Sequence, residues 1–496
     1  MTPKKISTVW SSKWTFILAS IGAAAGLGNL WKFPYLTYEN GGAAFLFAYI
    51  ICLLVLAKPI IITEVAMAQK LKKDLLGSFD RAAGGIGRYF AWCTILLLIC
   101  LAAYYASIIA WGWDYLVESP HLGWGEDAKS FFFEEILQIS DSIDDWGGFS
   151  WPVILGLIAT YIAVYLSIFK GVVSVGKVVK WTVPLPFLFL ILLFINATTL
   201  EGSFEGFKFF LVPDWSQLGE AKLWRDAIVM SFFSTNVGLA LTVTYAQFNT
   251  KDNDIIFSSW MIGVGDFLVS FVAGLAMFGT LGYMSQGQGV PIEEVVASGP
   301  SLAFVTIPTA LAALPYAAGF FTVLFFLSIL FLAIDSMFAI IEAIVSPFKT
   351  QFKKIRSMNQ STVIGLFCIV FFGLSLVFAG GNGLFRLDVI DHYLFSHLFY
   401  LTITAQVIII GWFFPVEDLR QFINSVSKIQ LGSWFNILIK FFAPAVFIFI
   451  YISSLRGEFS ENYGGYSTEA LVAWGVIPIC LILLVAAFLA RKRIER

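Results

Sequence analysis

Ile17-Leu-Ala-Ser-Ile21-Gly22-Ala-Ala-Ala-Gly26-Leu-Gly28-Asn29-Leu30-Trp-Lys-Phe-Pro34 opens as an apolar run and then breaks it with three glycines and an asparagine. A helix crossing a bilayer must pair every backbone N–H and C=O within itself, because hydrocarbon offers no water as a substitute. Small residues at mid-depth followed by an amide are what an unwound stretch lining a cavity needs. There, freed carbonyls can coordinate a cation and freed N–H groups can hold an anion. The stretch reads as a binding site inside a membrane span.

The rest of the chain supports that solvent. Of 496 residues, 58% are hydrophobic and 13% charged, about half the charge of a typical soluble domain. With roughly 20 apolar residues needed per span, the sequence predicts twelve. They cover about 14–38, 43–70, 87–117, 151–169, 178–198, 224–249, 255–285, 319–348, 361–380, 389–415, 434–455 and 468–490. Lysine and arginine cluster before the first span (Lys4, Lys5, Lys13), after the second (Lys70, Lys72, Lys73, Arg81, Arg88), after the eighth (Lys349, Lys353, Lys354, Arg356) and at the end (Arg491, Lys492, Arg493, Arg496). Segment 118–145 is acidic instead. The asymmetry predicts a plasma (inner) membrane protein with both termini cytoplasmic. The first span is long and interrupted, unlike a cleavable signal peptide. All five cysteines fall within spans, and His121, His392 and His397 are scattered with no metal-ligand spacing.

A second interruption, Ser231-Phe-Phe-Ser-Thr-Asn-Val-Gly238, falls in the sixth span. Breaks in spans five apart suggest two five-helix repeats, and the odd repeat length inverts the second. Sites in such folds lie at mid-membrane between paired broken helices. Close helix packing by small residues is the competing reading for either break alone. The expected organisation is residues 1–198 as the first repeat, 199–430 as the second, and 431–496 as two further helices with a basic tail.

Gly26-Leu-Gly-Asn-Leu-Trp-Lys-Phe-Pro-Tyr35 and Glu39-Asn-Gly-Gly-Ala-Ala-Phe45 resemble the neurotransmitter:sodium symporter family, whose fold is LeuT-type. The resemblance continues through Pro59-x4-Glu64, Tyr104-Tyr105, Ser231-Phe-Phe-Ser234, Ala333-Ile-Asp335-Ser336 and Asp388-x-x-Asp391. It covers essentially the whole chain. Short termini and the lack of the family's extracellular cysteine pair suggest a bacterial member.

Acids inside spans cost roughly 2.5–3.5 kcal/mol each and demand a reason. Leu332, Asp335 and Ser336 share one helical face and offer hard oxygen ligands. Pairing of the acid to a neighbouring helix is the competing reading. The resemblance implies a second sodium site of Gly22, Ala25, Leu332, Asp335 and Ser336, and a first of Ala24, Asn29, Ser234 and Asp266. Where the family usually has an asparagine, this chain has Asp266. At the positions matching the family's chloride site stand Tyr49, Met230, Ser234, Asp266 and Ser270. Met230 cannot donate a hydrogen bond to an anion, and Asp266 itself brings a negative charge. Two sodium ions and no chloride requirement are expected. Glu64 is expected to bond the unwound backbone, or else to pair with a basic group. Lys58 is expected to neutralise an acid or bond the carbonyl freed by Pro59.

Gly26 stands where monoamine carriers of the family have an aspartate, which implies room for a substrate carboxylate held by helix amides, sodium and Tyr105. Around a side chain the resemblance places Ala23, Leu101, Phe233, Asn236, Leu239, Ser336, Met337 and Ile340. Lys32 and Asp391 match the outer charged gate, with lysine in place of the arginine fork, and Phe233 its aromatic lid. The inner gate is rewritten as Ser7, Gln247, Phe248 and Thr350, with Lys4 or Lys5 and Glu342 as substitutes. Trp10 is kept, and Gly176 and Pro186 match a motif linked to inward unwinding.

These residues imply an all-α integral membrane symporter that imports a neutral amino acid with sodium, helices 1, 2, 6 and 7 rocking against 3, 4, 8 and 9. A carrier of taurine or betaine is the rival reading, and a transporter-like sensor or channel a further one. No catalytic constellation or nucleotide loop is present, so no enzyme and no nucleic-acid partner is expected. The sequence does not fix the oligomeric state.

Overall fold

The computed structural model describes residues 9–297, 299–458 and 462–494. Among them the secondary structure is helical, the one β-contact being an isolated bridge between Phe149 and Gly380. Ten helices are long and apolar enough to cross a membrane, and the bent pair Lys13–Ala24 and Leu27–Glu39 makes an eleventh span. Ala221–Ser234 and Leu241–Ala246, separated by 235–240, occupy the place of the sixth. The others are Ala43–Leu71 (span 2), Leu75–Glu118 (3), Trp151–Ile168 (4), Val172–Thr198 (5), Ile255–Gln288 (7), Ala318–Gln351 (8), Gly383–Phe413 (10), Trp434–Arg456 (11) and Thr468–Arg491 (12), with Gln360–Phe378 as span 9.

Burial sorts these spans into a centre and a periphery. The most apolar window of span 8 is 89% buried, whereas that of span 12 is 22% buried. Span 8 packs on spans 1, 3 and 5, and span 7 on spans 1, 2 and 5. Leu166, Ile195, Ile369, Phe449 and Leu484 instead face outward, as lipid contact requires. The two broken spans therefore lie among the most buried helices, where freed backbone groups can meet protein partners.

Several boundaries differ from the sequence expectation. Span 3 starts at Leu75 rather than 87, its first turns joined to the rest through a kink at Gly84 (φ 57°). Asp80, Arg81 and Arg88 hide those turns from a hydropathy reading. Span 5 likewise begins at Val172, because Lys177 and Lys180 ride on its first turns. The histidines are not all scattered. A π turn at Leu394–Leu398 carries His392 and His397 to one face of span 10, against Glu458 at the end of span 11. A wider turn of about 4.4 residues brings positions i and i+5 together, which an α-helix does not.

Candidate functional site

The break in span 1 is two residues wide. Its first helix ends at Ala24, Gly26 is extended (φ −110°, ψ −164°), and Leu27 starts the next helix after a 68° bend. The Asn29 side chain caps the new start, its Oδ1 accepting from the Gly26 N–H at 3.1 Å. The carbonyls released upstream point at span 8, where Ser336 Oγ lies 3.2 Å from Ala23 O and 3.4 Å from Gly22 O.

The break in span 6 is held from two sides. Asn236 sits at positive φ (53°) and its amide donates to Ala23 O, joining the two unwound segments directly. Gly238 (φ 85°) donates its N–H to Glu64 Oε1 at 2.9 Å, and Gln406 of span 10 donates to the same oxygen at 2.5 Å. Glu64 thus takes the backbone role, with no ion pair among the described residues.

Asp266 is fully buried and surrounded by donors. Asn29 Nδ2 donates to its Oδ1 at 2.6 Å and to Ser270 Oγ at 2.7 Å, while the Tyr49 hydroxyl lies 3.4 Å from Oδ2 and 2.7 Å from Ser234 Oγ. Ser270 in turn donates to Asp266 O. Four of the five residues matched to a chloride site are therefore gathered, and a carboxylate stands among them. The fifth, Met230, is buried nearby in sequence on span 6.

Asp335 is the opposite case. It is fully buried, and among the described residues its carboxylate oxygens meet no close hydrogen-bond donor, only the Thr182 hydroxyl facing them from span 5. Gly22 lies so close that a Cβ there would come within 2.6 Å of Asp335 Oδ2. Ser336 Oγ also reaches Leu332 O at 3.2 Å. Span 8 thus places a carboxylate, a hydroxyl and carbonyls against the end of the first half-helix. Leaving such an acid buried beside a single hydroxyl is costly, and a hard cation is the partner these oxygens suit.

A cavity of about 350 Å³ opens beside both breaks. Gly26, Leu101, Tyr105, Phe233, Asn236, Leu239, Ser336 and Ile340 line it, as do Ala24 and Asn29. At Gly26 an added Cβ would come within 2.9 Å of Ser336 Oγ and 3.2 Å of Tyr105 Oη, so the glycine keeps that polar corner open. The Tyr105 hydroxyl already accepts from the Leu27 N–H at 3.4 Å.

The chain matches the Sodium:neurotransmitter symporter family over residues 7–127 and 124–494. It is 35% identical to an uncharacterised sodium-dependent transporter of Methanocaldococcus jannaschii over 98% of this chain and 97% of that one. The chain belongs to the sodium:neurotransmitter symporter family. It is also 31% identical to the sodium- and chloride-dependent GABA transporter 2 of Rattus norvegicus, over 90% of this chain and 79% of that one. To the sodium- and chloride-dependent taurine transporter of the same species it is 28% identical, over 97% and 84%. This symporter is accordingly a sodium-dependent, multi-pass membrane transporter, and its relatives are transporters rather than enzymes.

Not every residue expected at the symporter's pocket lines it. Met337 and Ala23 are buried outside the lining, Met337 in the apolar core and Ala23 as the carbonyl that Asn236 and Ser336 hold. Ile108 and Phe395 line the cavity and were not expected. Ile108 continues the Leu101, Tyr104 and Tyr105 face of span 3 by one turn, a helical spacing that could have found it.

The two outer gate residues share the cavity mouth without being joined. Asp391 accepts from the Tyr104 hydroxyl at 2.5 Å, and the Lys32 ammonium lies 4.3 Å above the Phe233 ring. Phe233 itself packs on Gly28 and, at 5.3 Å between ring centres, on Phe395. Among the described residues Lys58 pairs with no acid: its ammonium sits over the ring of Trp260, a cation–π contact on the flank of span 7.

The end of the bundle away from the mouth is tied together by hydrogen bonds. Trp10 donates its indole N–H to Tyr245 O at 2.8 Å and its backbone N–H to Phe248 O at 3.1 Å. Thr350 is tied to a residue that hydropathy and motif do not single out. Asp74 caps span 3 at Gly77 N (2.8 Å) and accepts from Thr350 Oγ1 at 2.6 Å and Ser346 Oγ at 3.1 Å, while Gln247 Nε2 reaches Ser346 Oγ at 3.2 Å. Ser7, Lys4 and Lys5 lie outside the described residues.

Proposed function

We propose that this symporter imports a neutral amino acid with two sodium ions by alternating access and without chloride. The cavity carries the reading. Its polar corner of Gly26, the Leu27 N–H, Tyr105 and Ser336 suits an α-carboxylate. Its walls are apolar except for Asn236, which suits a small apolar or weakly polar side chain. Asp335, which meets no close donor, with Ser336, Leu332, Gly22 and Ala25 supports one sodium position; Asp266 with Asn29, Ser234 and Ala24 supports the other.

Chloride independence rests on Asp266. It places a fixed carboxylate among Tyr49, Ser234 and Ser270, and a chloride ion there would face that charge in a buried setting. The basic clusters support a cytoplasmic position for the Trp10-bearing end in a plasma membrane, with the cavity facing outward. Residues 1–198 and 199–430 would form the two inverted repeats.

Uptake into proteoliposomes tests the reading: an inward sodium gradient, each neutral amino acid in turn, and chloride exchanged for gluconate. Concentrative uptake of one amino acid, unchanged in gluconate, is expected. A strict chloride requirement would sink the anion argument, and uptake confined to taurine, betaine or GABA would sink the substrate argument. The similarity to GABA and taurine transporters makes that second outcome the leading rival.

A further inference from the structure

His392, His397 and Glu458 meet where the helix that continues span 11 ends beside span 10. His392 Nε2 lies 2.5 Å from Glu458 Oε1, and His397 Nε2 lies 3.7 Å from the same oxygen. One ligand atom from each residue falls within 4.8 Å of the other two. A hydrogen-bonded His–Glu pair would account for His392 alone. It leaves His397 aimed at the same oxygen from too far to bond, with its buried Nδ1 unpartnered.

The surroundings hold the group in shape. The π turn at Leu394–Leu398 puts both imidazoles on one face, and the Ser454 hydroxyl of span 11 donates to Ser396 O at 2.9 Å inside that turn. Ser396 Oγ lies 3.5 Å from His392 Nδ1, an orienting contact on the ring nitrogen away from Glu458. Tyr463 stacks on His392 at 3.6 Å between ring centres and gives its hydroxyl to Asp388 at 2.9 Å. The three side chains are partly shielded, 11–19% exposed.

We propose that His392, His397 and Glu458 bind a divalent transition-metal ion, zinc fitting best, with a fourth position left to water. Two imidazoles and one carboxylate are a common donor set for an open zinc site. Tetrahedral bonds of about 2.0–2.1 Å put ligand atoms roughly 3.3 Å apart. The 2.5 and 3.7 Å separations straddle that value, so sub-ångström shifts admit the ion. The ion would pin span 10 to span 11 one residue from Asp391, at the cavity mouth.

The test uses purified, chelator-treated protein without a histidine tag, with cobalt(II) as the optical probe and zinc as competitor. One equivalent of cobalt should give the visible absorption of a four- or five-coordinate ion, zinc should displace it, and zinc should raise the melting temperature. His397→Ala and Glu458→Gln should each weaken binding at least tenfold, and His392→Gln provides a further variant if either misfolds. His121→Ala, removing the remaining histidine, should change nothing. Binding that survives both ligand substitutions, or saturates only at millimolar metal, overturns the proposal.

Discussion

Asp266 receives Asn29 on one oxygen and faces Tyr49 with the other. Replacing that oxygen by an amide nitrogen keeps the volume and removes the charge. If the carboxylate stands in for an anion, Asp266→Asn should weaken sodium-dependent substrate binding at least tenfold in gluconate, with chloride restoring part of it. Equilibrium binding in the two salts measures this. Equal binding in both salts, at wild-type strength, would show that the charge does no such work. This acid was legible because any acid inside an apolar span asks for a partner. Lys58 asked the same question, but its answer, the ring of Trp260, lies some two hundred positions away and leaves no local trace.

At the scale of single elements, the span 6 break depends on Gly238. Its φ is 85°, and a Cβ there would come within 2.8 Å of Ile403. Gly238→Ala therefore meets both backbone strain and overlap, and should cost about 1–3 kcal/mol, read as a lowered melting temperature. Glu64→Gln leaves the same loop folded around a weaker acceptor and should cost less. The short helix Val416–Val426 offers a pH prediction outside the membrane. Hydrogen bonds from Arg420, then Asn436 and Gln421, hold the Glu417 carboxyl down to about 2. A depressed carboxyl stabilises at pH above its ordinary value and loses that contribution as pH falls towards the folded one. Trp434, two residues from Asn436, should show unchanged fluorescence from pH 7 to 5 and a shift only below about 4; a shift near pH 6 would exclude Glu417 as its source. Both breaks were readable because glycine, serine and asparagine are conspicuous among leucines. The π turns were not, since their residues are as apolar as those of an α-helix.

Across the whole molecule, the cavity reaches Lys32 and Asp391 at one end, while Trp10 and the Asp74 network tie the spans together at the other. Asp74→Ala removes a helix cap worth about 0.5–2 kcal/mol and strands two hydroxyls, Thr350 and Ser346. It should shift the protein towards the inward-open form. A cysteine at Thr244, beside the inner cavity that Glu342 and Lys349 also line, should then react faster with a membrane-impermeant thiol reagent applied to inside-out vesicles. An unchanged rate would assign closure to Trp10 alone. The twelve-span plan and the placing of the acids came from composition and motif. The inner closure did not, because Asp74 looks like any polar residue in a loop until span 8 is folded onto it.

The π turn in span 10 has a further consequence, one of phase. Upstream of it stand Asp391 and His392 at the mouth; downstream stands Gln406, which reaches Glu64 at mid-membrane. Deleting a single residue from Leu394–Leu398 would restore an ordinary helix and leave what lies beyond it nearly in place, because five residues at about 4.4 per turn and four at 3.6 per turn both sweep roughly 400°. The mouth and the mid-membrane clasp would both still be met by the same rod, with His392 and His397 now four positions apart and still on one face. Span 10 thus carries a spare tooth in its gearing, so a one-residue deletion inside the turn should be far better tolerated than one in the α-helical turns on either side, which would rotate the rest by about 100°.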